Sequence, residues 1–130
     1  MTEMNLMEKY PVIVLEIAKS ETTFKSVDEI LYHLKSKIDA HTVAKYIAIF
    51  NHYAHTKDLE EGNISTDILD ARNIICCFGK DLSNPLTLAI RPRSIGVVEM
   101  SDKFVLSFMD APNPQAHKEM LSWVKSVVNK

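Results

Sequence analysis

Asn73-Ile-Ile-Cys-Cys-Phe-Gly-Lys80 is the stretch whose reading decides the fold. Ile74 through Phe78 are apolar without interruption, and Gly79 closes the run. A short apolar run with β-favouring side chains and a terminal glycine reads as a strand buried on both faces. Each face then needs a cover. Amphipathic helical patterns before and after the run supply one, and a second sheet, a partner subunit or a ligand supplies the other. Successive side chains of a strand point to opposite faces. Cys76 and Cys77 are therefore expected in different environments, which argues against a shared metal site or a mutual disulfide. As small buried hydrophobes they need no chemistry.

Composition sets the outer limits. A chain of 130 residues suits one domain, read here as 1–130 with a loose lead-in over 1–9. It is long enough to bury a core without staples. A net charge of −2 leaves no electrostatic footprint for nucleic acid or an acidic membrane. Two adjacent cysteines are not a disulfide framework. Met1 to Tyr10 lacks a basic start followed by an apolar core, so no signal peptide is read, and no run approaches membrane-spanning length. The expected compartment is the reducing cytoplasm.

On either side of the central run the patterns alternate between strand and helix. Pro11 to Ala18 is β-branched and reads as a strand, with proline at its first position, where a missing donor is tolerated. Ser26 and Glu29 have capping-box spacing, and Val27, Ile30, Leu31, Leu34 and Ile38 follow on one helical stripe with His33 at its border. Lys45 to His55 reads as the second strand, leaving the core around Asn51. Lys57 to Asn63 is a charged turn, and Ser65 to Asp70 suits one helical turn. Leu86 to Ile90, between Pro85 and Pro92, is too short to assign. Ser94 to Met100 and Lys103 to Met109 form a hairpin across Ser101-Asp102. Asn113 as cap and Pro114 at the first helical position open a last helix. Its stripe is Met120, Leu121, Val124, Val127 and Val128, with Trp123 at the margin.

This order predicts an α+β two-layer sandwich: one mainly antiparallel sheet of four to five strands with two helices packed on one face. The other sheet face carries side chains of the Tyr46, Phe50 or Phe104 type. Large exposed apolar patches mark interfaces, so a homodimer through that face is expected.

Three motifs between about Phe24 and Pro112 resemble the bacterial domain of unknown function 302. They are Ile49-Phe50-Asn51-His52, Phe78-Gly79-Lys80, and Ser107-Phe108-Met109-Asp110-Ala111-Pro112. The first carries an extra residue and Asn for Asp. The second has Lys80 for Asn. The third has Phe108 for Tyr and an inserted Ala111. The resemblance, to a divergent relative, implies a two-layer α/β fold and dimers and implies no reaction.

The candidate chemistry falls in two places. His52 and His55, three apart, would share a face of a helix but lie on opposite faces of a strand. A metal needs three or four convergent ligands, with Asp58 or a partner chain as further sources. Arg91-Pro92-Arg93-Ser94 sets two guanidiniums about a rigid proline, a pattern suited to a carboxylate or phosphate. Lys80 joins them if it lies at the same sheet end as Arg93. No nucleophile elbow, glycine-rich phosphate loop or Cys-x-x-Cys occurs. The expected function is a non-enzymatic homodimeric module binding a small anion or a protein partner through His52, His55, Lys80, Arg91 and Arg93. The alternative is a metal- or thiol-dependent catalyst using His52, His55 and Cys77. Cofactors are not specified by any motif.

Overall fold

The structure is a computed structural model that describes residues 1–5 and 11–130 of the chain. These residues form strands β1 (Thr2–Asn5), β2 (Val12–Ala18), β3 (Lys45–Phe50), β4 (Asp70–Cys77), β5 (Arg93–Glu99) and β6 (Lys103–Met109). The helices are α1 (Val27–Ala40), α2 (His52–Lys57) and α3 (Pro114–Lys125), with short 3-10 turns at Lys19–Glu21 and Pro85–Ala89. Among the described residues the strands make one six-stranded sheet in the order β1-β2-β6-β5-β4-β3, antiparallel at every step.

The decisive stretch lies inside the sheet as β4, between β3 and β5. Its alternation orients both layers. Ile74 and Cys76 are fully buried, while Ile75 and Cys77 on the other face are half-buried. The buried face meets α1, which Arg72 reaches by a 2.7 Å ion pair to Asp28. The expected separation of the two cysteines therefore holds, and both thiols are free. The expected sealing of both faces does not. One face is covered by helices, and the opposite one keeps its β4 side chains half-exposed.

Helix α1 forms where its capping signal stands. The Ser26 hydroxyl accepts from the Glu29 amide at 3.2 Å, and the Glu29 carboxylate accepts from the Lys25 amide rather than from that of the cap residue. Val27, Ile30, Leu31, Leu34 and Ile38 are all buried. Helix α3 opens on the Asn113 side chain, which accepts from the Gln115 amide at 2.9 Å. Met120, Trp123 and Val124 bury against the same core as α1, so Trp123 is a core residue rather than a marginal one. A full indole ring buries more apolar area than any neighbour on the stripe, which draws it inward.

The sheet is larger than the expected four to five strands. Thr2–Asn5, read as part of a loose lead-in, pairs antiparallel with β2 as an edge strand, and residues 6–9 of that lead-in lie outside the described residues. Four mostly polar residues carry no strand period of their own, and their order comes from the ladder they join. At the opposite edge, β3 shifts register between Tyr46 and Ala48. The bulge puts Tyr46 and Ile49 on the core side and leaves Ile47 in solvent. A short, bulged edge carrying Lys45 is a poor template for another chain's strand.

Candidate functional site: a cationic cleft at one end of the sheet

Strands β4, β5 and β6 form a meander, so the end of β4, the start of β5 and the end of β6 share one end of the sheet. Cys76 pairs with Arg93, and Ile95 pairs with Phe108. Three connections therefore meet there: Phe78–Lys80 after β4, Arg91–Pro92 before β5, and Asp110–Asn113 before α3. His41, at the C-terminal cap of α1, comes to the same end because β3 starts beside Cys77.

A cavity of about 290 Å³ lies between these segments, lined by His41, Phe78, Lys80, Asp81, Arg91, Asn113 and Ala116 among others. A second lobe of about 280 Å³ opens on the β3 side of Lys80 and Arg91. The floor is aromatic. Phe78 stacks on Trp123 with centroids 5.5 Å apart, and His41 sets its edge against both rings. His41 Nδ1 accepts from the amides of Val43 and Ala44 at 3.0 and 2.9 Å, which locks the ring and leaves Nε2 as the protonated nitrogen of the neutral form.

Arg91 is held by one bond, from Nη1 to the Asp81 carbonyl at 2.7 Å. Its guanidinium lies flat against Gly79, where a methyl group would fall on Nη1 and Cζ. Arg93 is more deeply set. It donates to the carbonyls of Ile90 and Met109, and its Nε is buried without a partner. Burial pulls its guanidinium below the usual value, with Cys76 and Asp110 acting the other way. The Asp110 carboxylate is engaged by His117 Nδ1 at 2.5 Å. Among the described residues neither Lys80 nor Arg91 forms a salt bridge. The opening of the cleft thus carries two cations outside any salt bridge, with Asp81 on the same lining.

One prediction arises here. Gly79→Ala should leave stability within about 1 kcal/mol, because the displaced atoms are the end of a flexible side chain. It should also swing Arg91 off its Asp81 anchor and weaken any anion held there. Thermal denaturation and an anion titration of the variant check both halves; an unchanged anion affinity would show that Arg91's resting position does not matter.

A family model described as Family of unknown function (DUF6858) matches residues 1–129. The chain belongs to that family. No curated protein and no solved structure matches it. The likeness to domain of unknown function 302 remains a likeness of three motifs. Two of them, Phe78-Gly79-Lys80 and the Asp110-Ala111-Pro112 end, are cleft segments in this DUF6858 chain.

The DUF6858 structure divides the expected site residues into two groups. Lys80 and Arg91 come together at the cleft, and Arg93 lines an adjoining pocket that it shares with Arg91. His52 and His55 do not join them. Strand β3 ends at Phe50, and the Asn51 side chain caps α2 by accepting from the Ala54 amide at 2.9 Å. The expected strand to His55 is thus replaced by a helix from His52. The histidines share a face of that helix, with centroids 6.2 Å apart and both rings against Phe50. His52 Nδ1 lies 3.4 Å from the side-chain Oδ1 of Asn73. Asn73 is four strand residues from Cys77, about 13 Å along β4, so the imidazole and the thiol do not meet. Among the described residues no group of three or more His, Cys, Asp or Glu is placed to hold a metal. Cys76 is further removed from thiolate chemistry, since burial, with Cys77 adding, pushes its thiol up to about 11.

The residues missed from sequence are His41, Phe78, Asp81, Asn113 and Ala116. A usable signal existed: a three-strand meander brings alternate connections to one end, and the Asn113-Pro114 cap was already evident.

Proposed function

We propose that this DUF6858 protein is a non-enzymatic, homodimeric binding module of the cytoplasm that holds a small carboxylate or phosphate in the cleft. The observation that carries the reading is that Lys80 and Arg91, from two neighbouring strand ends, line one cavity bordered by the start of α3, with Arg93 in an adjoining pocket that shares Arg91, Asn113 and Ala116. A planar guanidinium matches a carboxylate or phosphate with two parallel bonds, which a lysine alone does not. The amide end of α3 adds a favourable dipole for negative charge. Among the described residues the cleft shows no hydrogen-bonded pair of nucleophile and base, which supports binding over turnover.

The test is thermal denaturation with acetate, inorganic phosphate and sulfate at matched ionic strength. A ligand specific to the folded state adds about 2.7 kcal/mol at a hundred times its Kd. Acetate or phosphate should raise Tm in a saturable way. If none of the three anions does so, the small-anion reading fails and a protein partner takes its place.

The dimer belongs to the same proposal. Of the side chains expected on the uncovered face, Tyr46 and Phe104 lie instead on the helix-covered side, in or against the core. The face opposite α1 and α3 carries Val14, Val98, Val105, Gly96 and Ser107 near its centre, with the Glu16–Lys103 ion pair towards one end. Six strands of four to eight residues, about 4.8 Å apart, give a face on the order of 600 Å², less the part at β4 where His52 of α2 lies against Asn73. That approaches the ~800 Å² per partner of a stable interface. Light scattering at micromolar concentration should report twice the 14.8 kDa chain mass. A mass of one chain would exclude the dimer and leave the anion site untouched.

A further inference from the structure

Four large apolar side chains stand in water on the loop that joins the two halves of the cleft. Leu82 is 72% exposed, Leu86 76%, Leu88 66% and Ile90 39%. The loop is built rather than slack. Asn84 caps its 3-10 turn by accepting from the Leu86 amide at 2.8 Å, and the Ile90 amide donates to the Thr87 carbonyl at 3.1 Å. Solvent-exposed apolar groups concentrated on one short segment mark a binding surface, because nothing in folding alone favours them.

Leu82 and Leu88 line the same 280 Å³ lobe as Lys80 and Arg91. Ile47, pushed outward by the β3 bulge, and Pro92 complete the apolar wall. One wall is thus hydrocarbon, and the other carries Lys80 and Arg91 beside a single carboxylate, Asp81. A bare inorganic anion would use only the second wall. A neutral hydrocarbon would leave the guanidinium with only its bond to the Asp81 carbonyl. A ligand with one anionic head and a compact apolar body satisfies both.

We infer that the cleft binds an amphipathic monocarboxylate, with the carboxylate on Arg91 and Lys80 and an alkyl or aryl body against Leu82, Leu88 and Ile47. The lobe falls just below the ~300–1,000 Å³ of drug-sized sites, so the body is a medium-length chain or a single ring. The inference rests on the anion-binding reading and narrows it to one ligand class.

The experiment is calorimetric titration of the full chain with acetate, butanoate, hexanoate and octanoate, all below their micelle concentrations, at fixed salt. Burial of each methylene should tighten binding about fourfold, so octanoate should exceed butanoate on the order of a hundredfold. Leu82→Asn and Leu88→Asn change exposed side chains and should fold normally. They should flatten the chain-length dependence, so that octanoate binds these variants little better than acetate does. Acetate binding with no gain for octanoate would overturn the amphiphile inference and leave the anion site standing. No binding of acetate, phosphate or octanoate would remove both. Co-sedimentation with phosphatidylglycerol vesicles without saturable octanoate binding would also overturn it, assigning the apolar loop to a membrane surface instead.

Discussion

Arg91→Ala is expected to weaken acetate or phosphate binding by about tenfold to a hundredfold, with Tm in ligand-free buffer almost unchanged. A hydrogen bond to a charged group contributes about 1.5–3 kcal/mol, and every 1.4 kcal/mol is a factor of ten in Kd. Stability should hold because Arg91 makes a single bond to the Asp81 carbonyl and lies over Gly79 rather than inside the core. Arg91→Lys should fall between the two, since it keeps the charge and loses the planar fork. Arg93 is the poorer probe. Its guanidinium bridges the carbonyls of Ile90 and Met109, so removing it would disturb the strand ends as well as the cleft. Isothermal titration of both Arg91 variants measures the effect. Wild-type affinity in Arg91→Ala would mean that the anion, if bound, is held elsewhere.

Phe104→Ala should be the most damaging single truncation in the core, at about 3–5 kcal/mol. The ring is completely buried at the start of β6, opposite Ile17 on β2 and Glu99 on β5. Lys19 Nζ sits 5.4 Å above its centroid, itself paired with Glu99 at 2.8 Å, so the lid over the ring is charged and tethered. A small side chain leaves a hole that Leu15 and Ile17 on β2 and Leu106 on β6 itself cannot close by rotamer change, because the sheet fixes their backbones. Domains of this size are stable by about 5–15 kcal/mol, so the loss is a large fraction of the total. Urea denaturation should show a lower midpoint with an unchanged slope. A shift worth less than about 1 kcal/mol would mean that the ring is not the centre of the core.

These two residues were not equally visible in the amino-acid pattern. Phe104, Leu106 and Phe108 alternate with Val105 and Ser107, and a strand follows from that period, but the period does not say which face is covered: Phe104 is expected on the open face and lies in the core. The capped stripe from Val27 to Ile38 and the Asn113-Pro114 start of α3 were equally explicit, because side-chain caps and helical periods are local signals. His52 and His55 were misread for a physical reason. Lys45 to Phe50 establishes a strand, and His-Tyr-Ala-His carries no apolar period to announce a change. The change is made by Asn51, whose side chain captures the Ala54 amide and starts a helix of six residues. Asn51 was seen as the point where the chain leaves the core, but an asparagine at such a point is also a cap. Thr2–Asn5 lacked a signal altogether, since an edge strand of that length is defined by its partner.

The cleft lies between these extremes. Arg91 and Arg93 stood out by their spacing about Pro92, and Lys80 by its place after Gly79. That they meet follows from the antiparallel meander, which sets the end of β4 beside the start of β5. His41 and Phe78 arrive through tertiary packing on Trp123, which spacing along the chain does not encode.

The measurement that tests the central claim most directly is an amide-resolved NMR titration of the uniformly ¹⁵N-labelled protein with acetate and with phosphate. The account predicts saturable shifts confined to Phe78–Asp81, Arg91, Arg93 and Asn113–Ala116, with Pro92, Pro112 and Pro114 silent for want of an amide proton. Saturable shifts centred on His52 and His55, or none anywhere in the protein, would contradict it.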